Sequence, residues 1–93
     1  MVFYVIDEQS GVIAKFVNEK DAKAFREYKV QKLILQACTE WQDNYIKQNP
    51  FNKYGSEMLP GDIPGAEFDK AYSDITEQIK SRITIKEFKF REI

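Results

Sequence analysis

NEKDAKAFREYKVQKLILQACTEWQDNYIKQNP, residues 18–50, decides how this chain folds. From Glu19 to Gln48 there is neither glycine nor proline, so nothing local stops a helix before Asn49-Pro50. Asn18 suits the N-cap, because its side-chain oxygen can accept from an unpaired first-turn N–H, and Asp21 is favoured by the positive helix end. Such a helix spans roughly 45 Å. A compact chain of this size has a radius of gyration of about 12 Å, so a straight helix overhangs its body.

The helix carries two apolar faces. Val30, Leu33, Ile34, Ala37, Trp41 and Tyr45 fall on one stripe. Ala22, Phe25 and Tyr28 centre almost opposite, flanked by Leu35 and Ile46. Two arrangements satisfy both faces. A break near residues 27–29 would turn both halves toward one core. A straight helix would pack its first half on a sheet and its second half elsewhere, and the lack of any breaker favours this version.

Working outward, residues 2–6 form a continuous apolar run, the pattern of a strand covered on both faces or lying centrally in its sheet. Asp7-Glu8-Gln9-Ser10-Gly11 follows, with Gly11 able to take the positive φ of a bulged hairpin turn. Residues 12–17 return as a second strand, with Val12, Ala14 and Phe16 expected on one face. Beyond the long helix, Phe68, Ala71, Tyr72, Ile75 and Ile79 recur at helical spacing and predict a helix over about residues 66–81. Its stripe needs one partner surface, for which the Val30-to-Tyr45 face is the obvious candidate. Ile83 and Ile85 then alternate, whereas Phe88 and Phe90 continue on the other parity, which implies a bulge or bend at Lys86-Glu87. The order is β-β-α-α-β, an α+β fold with a three-stranded antiparallel sheet in the order 2-1-3. Ninety-three residues fit a single domain, 1–93.

Residues 49–65 lack regular pattern, yet hold all three prolines (Pro50, Pro60, Pro64) and three of the four glycines (Gly55, Gly61, Gly65). The same stretch carries Phe51, Tyr54, Met58, Leu59 and Ile63. A loop this long is usually functional or disordered, and its apolar content argues against disorder. It packs back on its own domain or meets a partner.

Hydrophobic residues at 43% and charged residues at 31% describe an ordinary soluble chain. No apolar run approaches a membrane span, and residues 2–6 are too few for a signal peptide. A single cysteine makes no internal disulfide, so a reducing cytoplasm is the expected setting. The net charge of −1 divides unevenly: +3 over residues 20–32 and +3 over residues 80–93, against −5 over residues 33–79. The whole is neither basic like a duplex-DNA binder nor acidic enough to imitate DNA.

The chain has no histidine, which removes the commonest general base and a leading metal ligand. Cys38 alone builds no zinc site and reads as a buried small hydrophobe. Glu40 with Asp43, and Asp74 with Glu77, sit three apart on helix faces and read as solvated carboxylates. Pro60-Gly61-Asp62-Ile63-Pro64-Gly65 lacks the spacing and the lysine of a phosphate loop. No cofactor, metal or catalytic set is expected.

Two binding readings remain. The surplus apolar residues Trp41, Tyr45, Phe51, Tyr54, Met58 and Leu59 point to a protein partner, with self-association through residues 30–46 as one form of it. The alternative is nucleic acid, held by Lys20, Lys23, Arg82, Lys86, Lys89 and Arg91 with Phe88 and Phe90 interleaved.

The opening Phe3-Tyr4-Val5-Ile6-Asp7-Glu8-Gln9-Ser10-Gly11-Val12-Ile13-Ala14-Lys15-Phe16, with Asn18-Glu19-Lys20-Asp21-Ala22, resembles the openings of small accessory proteins of tailed bacteriophages. The likeness covers about a quarter of the chain. It implies a compact modulator or inhibitor acting on a host or viral protein, in the host cytoplasm, and transfers no site residue.

Overall fold

Strand β1 (Val2–Asp7) pairs antiparallel with β2 (Gly11–Phe16) on one side and with β3 (Ile83–Phe88) on the other, giving the expected order β2-β1-β3. Between β2 and β3 the chain forms a long helix, α1 (Glu19–Gln48), and a shorter one, α2 (Gly65–Arg82). These elements come from a computed structural model that describes residues 1–89.

The β1–β2 turn is set by Asp7 and Gly11. Asp7 Oδ1 accepts from the Gln9 N–H at 2.9 Å, its carbonyl accepts from Ser10 N–H at 3.1 Å, and Gly11 sits at φ +83°. A side chain is strained in that left-handed conformation, which is why glycine closes the turn.

The register shows where the pleat slips. Val5 faces Ala14 and Ile6 faces Val12, so Ile13 is an extra residue in β2. That bulge moves Val12 to the face opposite Ala14 and Phe16, correcting the expectation that all three share a side. The slip expected at Lys86-Glu87 is absent: β3 pairs with β1 without interruption from Ile83 to Phe88. Phe88 changes parity because it belongs to the other face of the sheet, beside Val2 and Tyr4. Phe90 lies outside the described residues.

Helix α1 is continuous through residues 27–29. Asn18 Oδ1 accepts from Lys20 N–H at 2.8 Å, and Asn49 closes the other end by donating to the Tyr45 carbonyl from its backbone at 2.9 Å. Its two faces are reconciled without a bend. Ala22, Arg26, Val30, Ile34 and Cys38 follow one another at intervals of four, and each step advances about 40° around the axis. The contact line therefore winds from the sheet, where Phe25 meets Phe16 with ring centroids 5.5 Å apart, toward α2. Phe3, Val5, Ala22, Val30, Ile34, Cys38, Ile79 and Ile83 form the buried cluster. Tyr28 and Leu35, which the sequence placed on a second apolar face, are exposed. Cys38 is buried, as its place on the stripe suggested, and burial raises its thiol pKa.

Two arginines tie the sheet to the helices. Arg26, the one polar member of the winding line, donates from Nε to the Ile83 carbonyl at 2.7 Å and from an Nη to the Lys80 carbonyl at 2.9 Å. It thereby satisfies the Lys80 carbonyl in the last turn of α2, where helical partners run out, and the Ile83 carbonyl where β3 begins. Arg82 donates in a fork to buried Asp7, at 2.7 Å to Oδ1 and 2.8 Å to Oδ2. This hydrogen-bonded pair holds the Asp7 carboxyl at about 2, against its ordinary 3.8.

The helices are antiparallel: Arg26 reaches Lys80 near the sheet, and Trp41 meets Phe68 at the far end. The result is a rod of 72 × 20 × 15 Å with a radius of gyration of 18.7 Å. The overhang expected from the helix length is real.

Candidate functional site

The tip of the rod, distal to the sheet, is residues 49–64 together with the adjoining helix ends. This segment is organised by polar contacts. Asn52 is the hub: its Oδ1 accepts from Tyr54 N–H at 2.9 Å and Ser56 N–H at 3.1 Å, and its Nδ2 donates to Asp62 Oδ2 at 3.3 Å. The same Asp62 oxygen accepts from Leu59 N–H at 3.0 Å. Backbone bonds from Asn52 N–H to the Ser56 carbonyl at 2.8 Å and from Met58 N–H to the Pro50 carbonyl at 2.9 Å complete a small hairpin, with Phe51 bridged to Glu57. Gly55 turns it at φ +78°. Pro60–Asp62 forms a single 3₁₀ turn leading to α2.

Met58 and Ile63 anchor the segment by burial. Phe51, Tyr54 and Leu59 point the other way and are 67%, 79% and 60% exposed. Lys53 Nζ lies 5.0 Å from the Tyr54 ring centroid. Toward the helices, an aromatic file continues the surface: Tyr45 with Trp41 at 5.4 Å, Trp41 with Phe68 at 6.0 Å, and Phe68 with Tyr72 at 6.3 Å. Interaction with the Glu67 carboxylate, and then partial burial, raises the Tyr45 phenol above its ordinary pKa. Tyr45, Tyr54, Met58 and Pro64 line a cleft of about 590 Å³ whose polar wall is Asn52, Lys53 and Asp62.

The six residues expected to bind a protein are thus brought to one end but in different roles. Met58 is buried, Trp41 and Tyr45 are half-buried, and Phe51, Tyr54 and Leu59 are displayed. Phe68 and Tyr72 join them, although the sequence suggested only that they face α1. The Val30-to-Tyr45 stripe is largely taken up within the chain by α2 and the sheet.

The basic candidates scatter. Lys20 is exposed at the start of α1, and Lys23 pairs with Glu19 at 3.1 Å on the same exposed face. Arg82 is engaged by Asp7. Lys86 lies on β3, and Lys89 is exposed just after it. Arg91 lies outside the described residues. Glu40, Asp43, Asp74 and Glu77 are all exposed. Among the described residues no three His, Cys, Asp or Glu side chains gather in a way that could hold a metal ion, and no helix is long and apolar enough to cross a membrane.

Comparison with protein-family models, with curated proteins and with solved structures finds no match for this chain.

Proposed function

We propose that this protein is a non-catalytic interaction module that grips another protein with the distal tip of its helical hairpin. The observation that carries this reading is the Asn52–Asp62 network, which orders a loop while leaving Phe51, Tyr54 and Leu59 in solvent. A loop that merely connected two helices would gain by turning those side chains inward or by lacking them. Ordered before binding, they lose little conformational entropy on contact, which is how a small patch reaches useful affinity. Aromatic anchors beside a cleft with a polar rim are the usual centre of a protein interface. Occupying a partner's surface is also how a small modulator or inhibitor acts, in keeping with what the resemblance to phage accessory proteins implies.

A photo-crosslinking benzoylphenylalanine at position 54, compared with one at exposed position 77, tests this directly. The tip probe should trap a discrete protein from a source lysate, and excess unlabelled protein should compete it away. Phe51→Ala with Tyr54→Ala should not compete. Equal trapping at both positions, or undiminished competition by the double variant, overturns the reading.

A further inference from the structure

The face of the sheet turned away from the helices has a composition of its own. The register puts Val2, Tyr4, Ile6, Val12, Lys15, Thr84, Lys86 and Phe88 on it. Tyr4 lies directly between two cations, opposite Lys15 on β2 and Lys86 on β3. Lys15 Nζ is 5.5 Å from the Tyr4 ring centroid, and Phe88 meets Tyr4 edge-on with centroids 4.8 Å apart. Phe88 and Val12 are 50% and 53% exposed, and both helices pack on the opposite face.

Among the described residues the strand registers put no carboxylate on this face; Glu8 lies just beyond it, in the turn after β1. Asp7 points to the helix side and is bound by Arg82, and Glu87 pairs with Phe3 on that same side. Lys15 and Lys86 make no ion pair among the described residues. A second copy applied face to face would bring ammonium groups together with no carboxylate paired beside them in the described strands. The fitting occupant brings negative charge and flat apolar surface together.

We infer that this sheet face binds single-stranded nucleic acid, with bases laid on Phe88 and Tyr4 and phosphates held by Lys15 and Lys86. Stacking on aromatic side chains combined with backbone neutralisation is sufficient for binding without sequence preference. A sheet face reaches bases only when they are already unstacked, since duplex readout needs an element narrow enough to enter a groove. An acidic peptide is the weaker fit, because extended peptides take a sheet edge or a groove rather than an open face. This site lies at the end of the rod opposite the tip and does not depend on it.

The test uses the full chain and a fluorescent oligothymidine about 20 nucleotides long, read by anisotropy. Single strand should bind, and a duplex of matched length should bind far more weakly. Raising salt from about 50 to about 200 mM should weaken binding about sevenfold, the effect of two single-strand phosphate contacts. Lys15→Ala with Lys86→Ala should remove most of that salt dependence, and both positions are exposed enough to leave folding intact. Phe88→Ala should weaken binding about tenfold through lost stacking, with unchanged circular dichroism, while Phe51→Ala with Tyr54→Ala should change nothing. Equal binding of duplex, or indifference to the lysine pair, overturns the assignment. So does displacement by polyglutamate as effective as by oligonucleotide, which would assign the face to an acidic protein segment. Concentration-dependent dimerisation abolished by Phe88→Ala would assign it to a second copy.

Discussion

The two ends of this rod contain similar apolar residues and treat them in opposite ways. At the sheet end, Val5, Val30 and Ile83 come from three elements far apart in sequence and lose all contact with water. At the tip, Phe51, Tyr54 and Leu59 come from one short loop and keep most of theirs. The sheet end is closed by side chains meeting across the fold, including an ion pair between residues 75 apart in sequence. The tip is closed by bonds spanning ten residues or fewer. Long-range burial holds the body together, and short-range polar bonds shape a surface. The difference teaches that apolar content alone does not separate core from exposed surface; the polar atoms around it do.

The sharpest way to break this contrast is at the sheet end. Ile83→Ala opens a cavity in a site with no solvent access and should lower unfolding free energy by about 3–4 kcal/mol in a urea titration. If the loss is under about 1 kcal/mol, the end is not the stability centre described.

Asp7→Asn should follow, at about 2 kcal/mol, because it leaves the Arg82 guanidinium facing a neutral amide in a largely buried place. Part of that difference depends on pH. Folding lowers the Asp7 carboxyl from 3.8 to about 2. A depressed folded value means the contribution is complete above about pH 4 and fades as pH falls toward 2. Screening at the partly exposed Arg82 side limits this part to about 1–2 kcal/mol. Wild type and Asp7→Asn should therefore converge in stability on acidification, and parallel curves would rule out the pairing.

Asn52→Ala should act locally. It removes the acceptor for two loop N–H groups and the donor to Asp62, which corresponds to about 1 kcal/mol of loop order. Hydrogen exchange should accelerate at Tyr54 and Ser56 while the amides of β1 keep their protection. Loss of protection in β1 as well would mean that the two ends fold as one unit.

The smallest effect on stability belongs to Phe51→Ala with Tyr54→Ala, within about 0.5 kcal/mol of wild type by thermal denaturation. The same pair should weaken partner binding by about 2 kcal/mol or more, the size expected of interface anchors. A variant that unfolds would move these residues from the surface into the core.

Much of this contrast was legible in the chain. The unbroken run from Glu19 to Gln48, Asn18 before it and Asn49-Pro50 after it define α1 by local chemistry. The punctuated loop with its unplaced Phe51 and Tyr54 already marked the tip. The display of Leu59 beside buried Met58 was not legible, because adjacent residues in an irregular loop have no period from which to read a side. Nor was the row Lys15–Tyr4–Lys86. Tyr4 sits inside an apolar run, and its neighbours come from two other strands, so only the register brings the cations beside it. The aromatic parity change at Phe88 was visible, but a single strand cannot say whether it is a bulge or the second face of a sheet.

By itself, then, the sequence determined the elements, their order and the excess length of the helix, because caps, breakers and apolar periods act within a few residues. The tertiary structure decided the bulge at Ile13, the capture of Arg82 by Asp7, the capping of α2 by Arg26 and the winding contact line on α1. Each of these needs partners brought together from distant parts of the chain, and only the folded arrangement determines which polar groups find a mate and which apolar ones are left facing water.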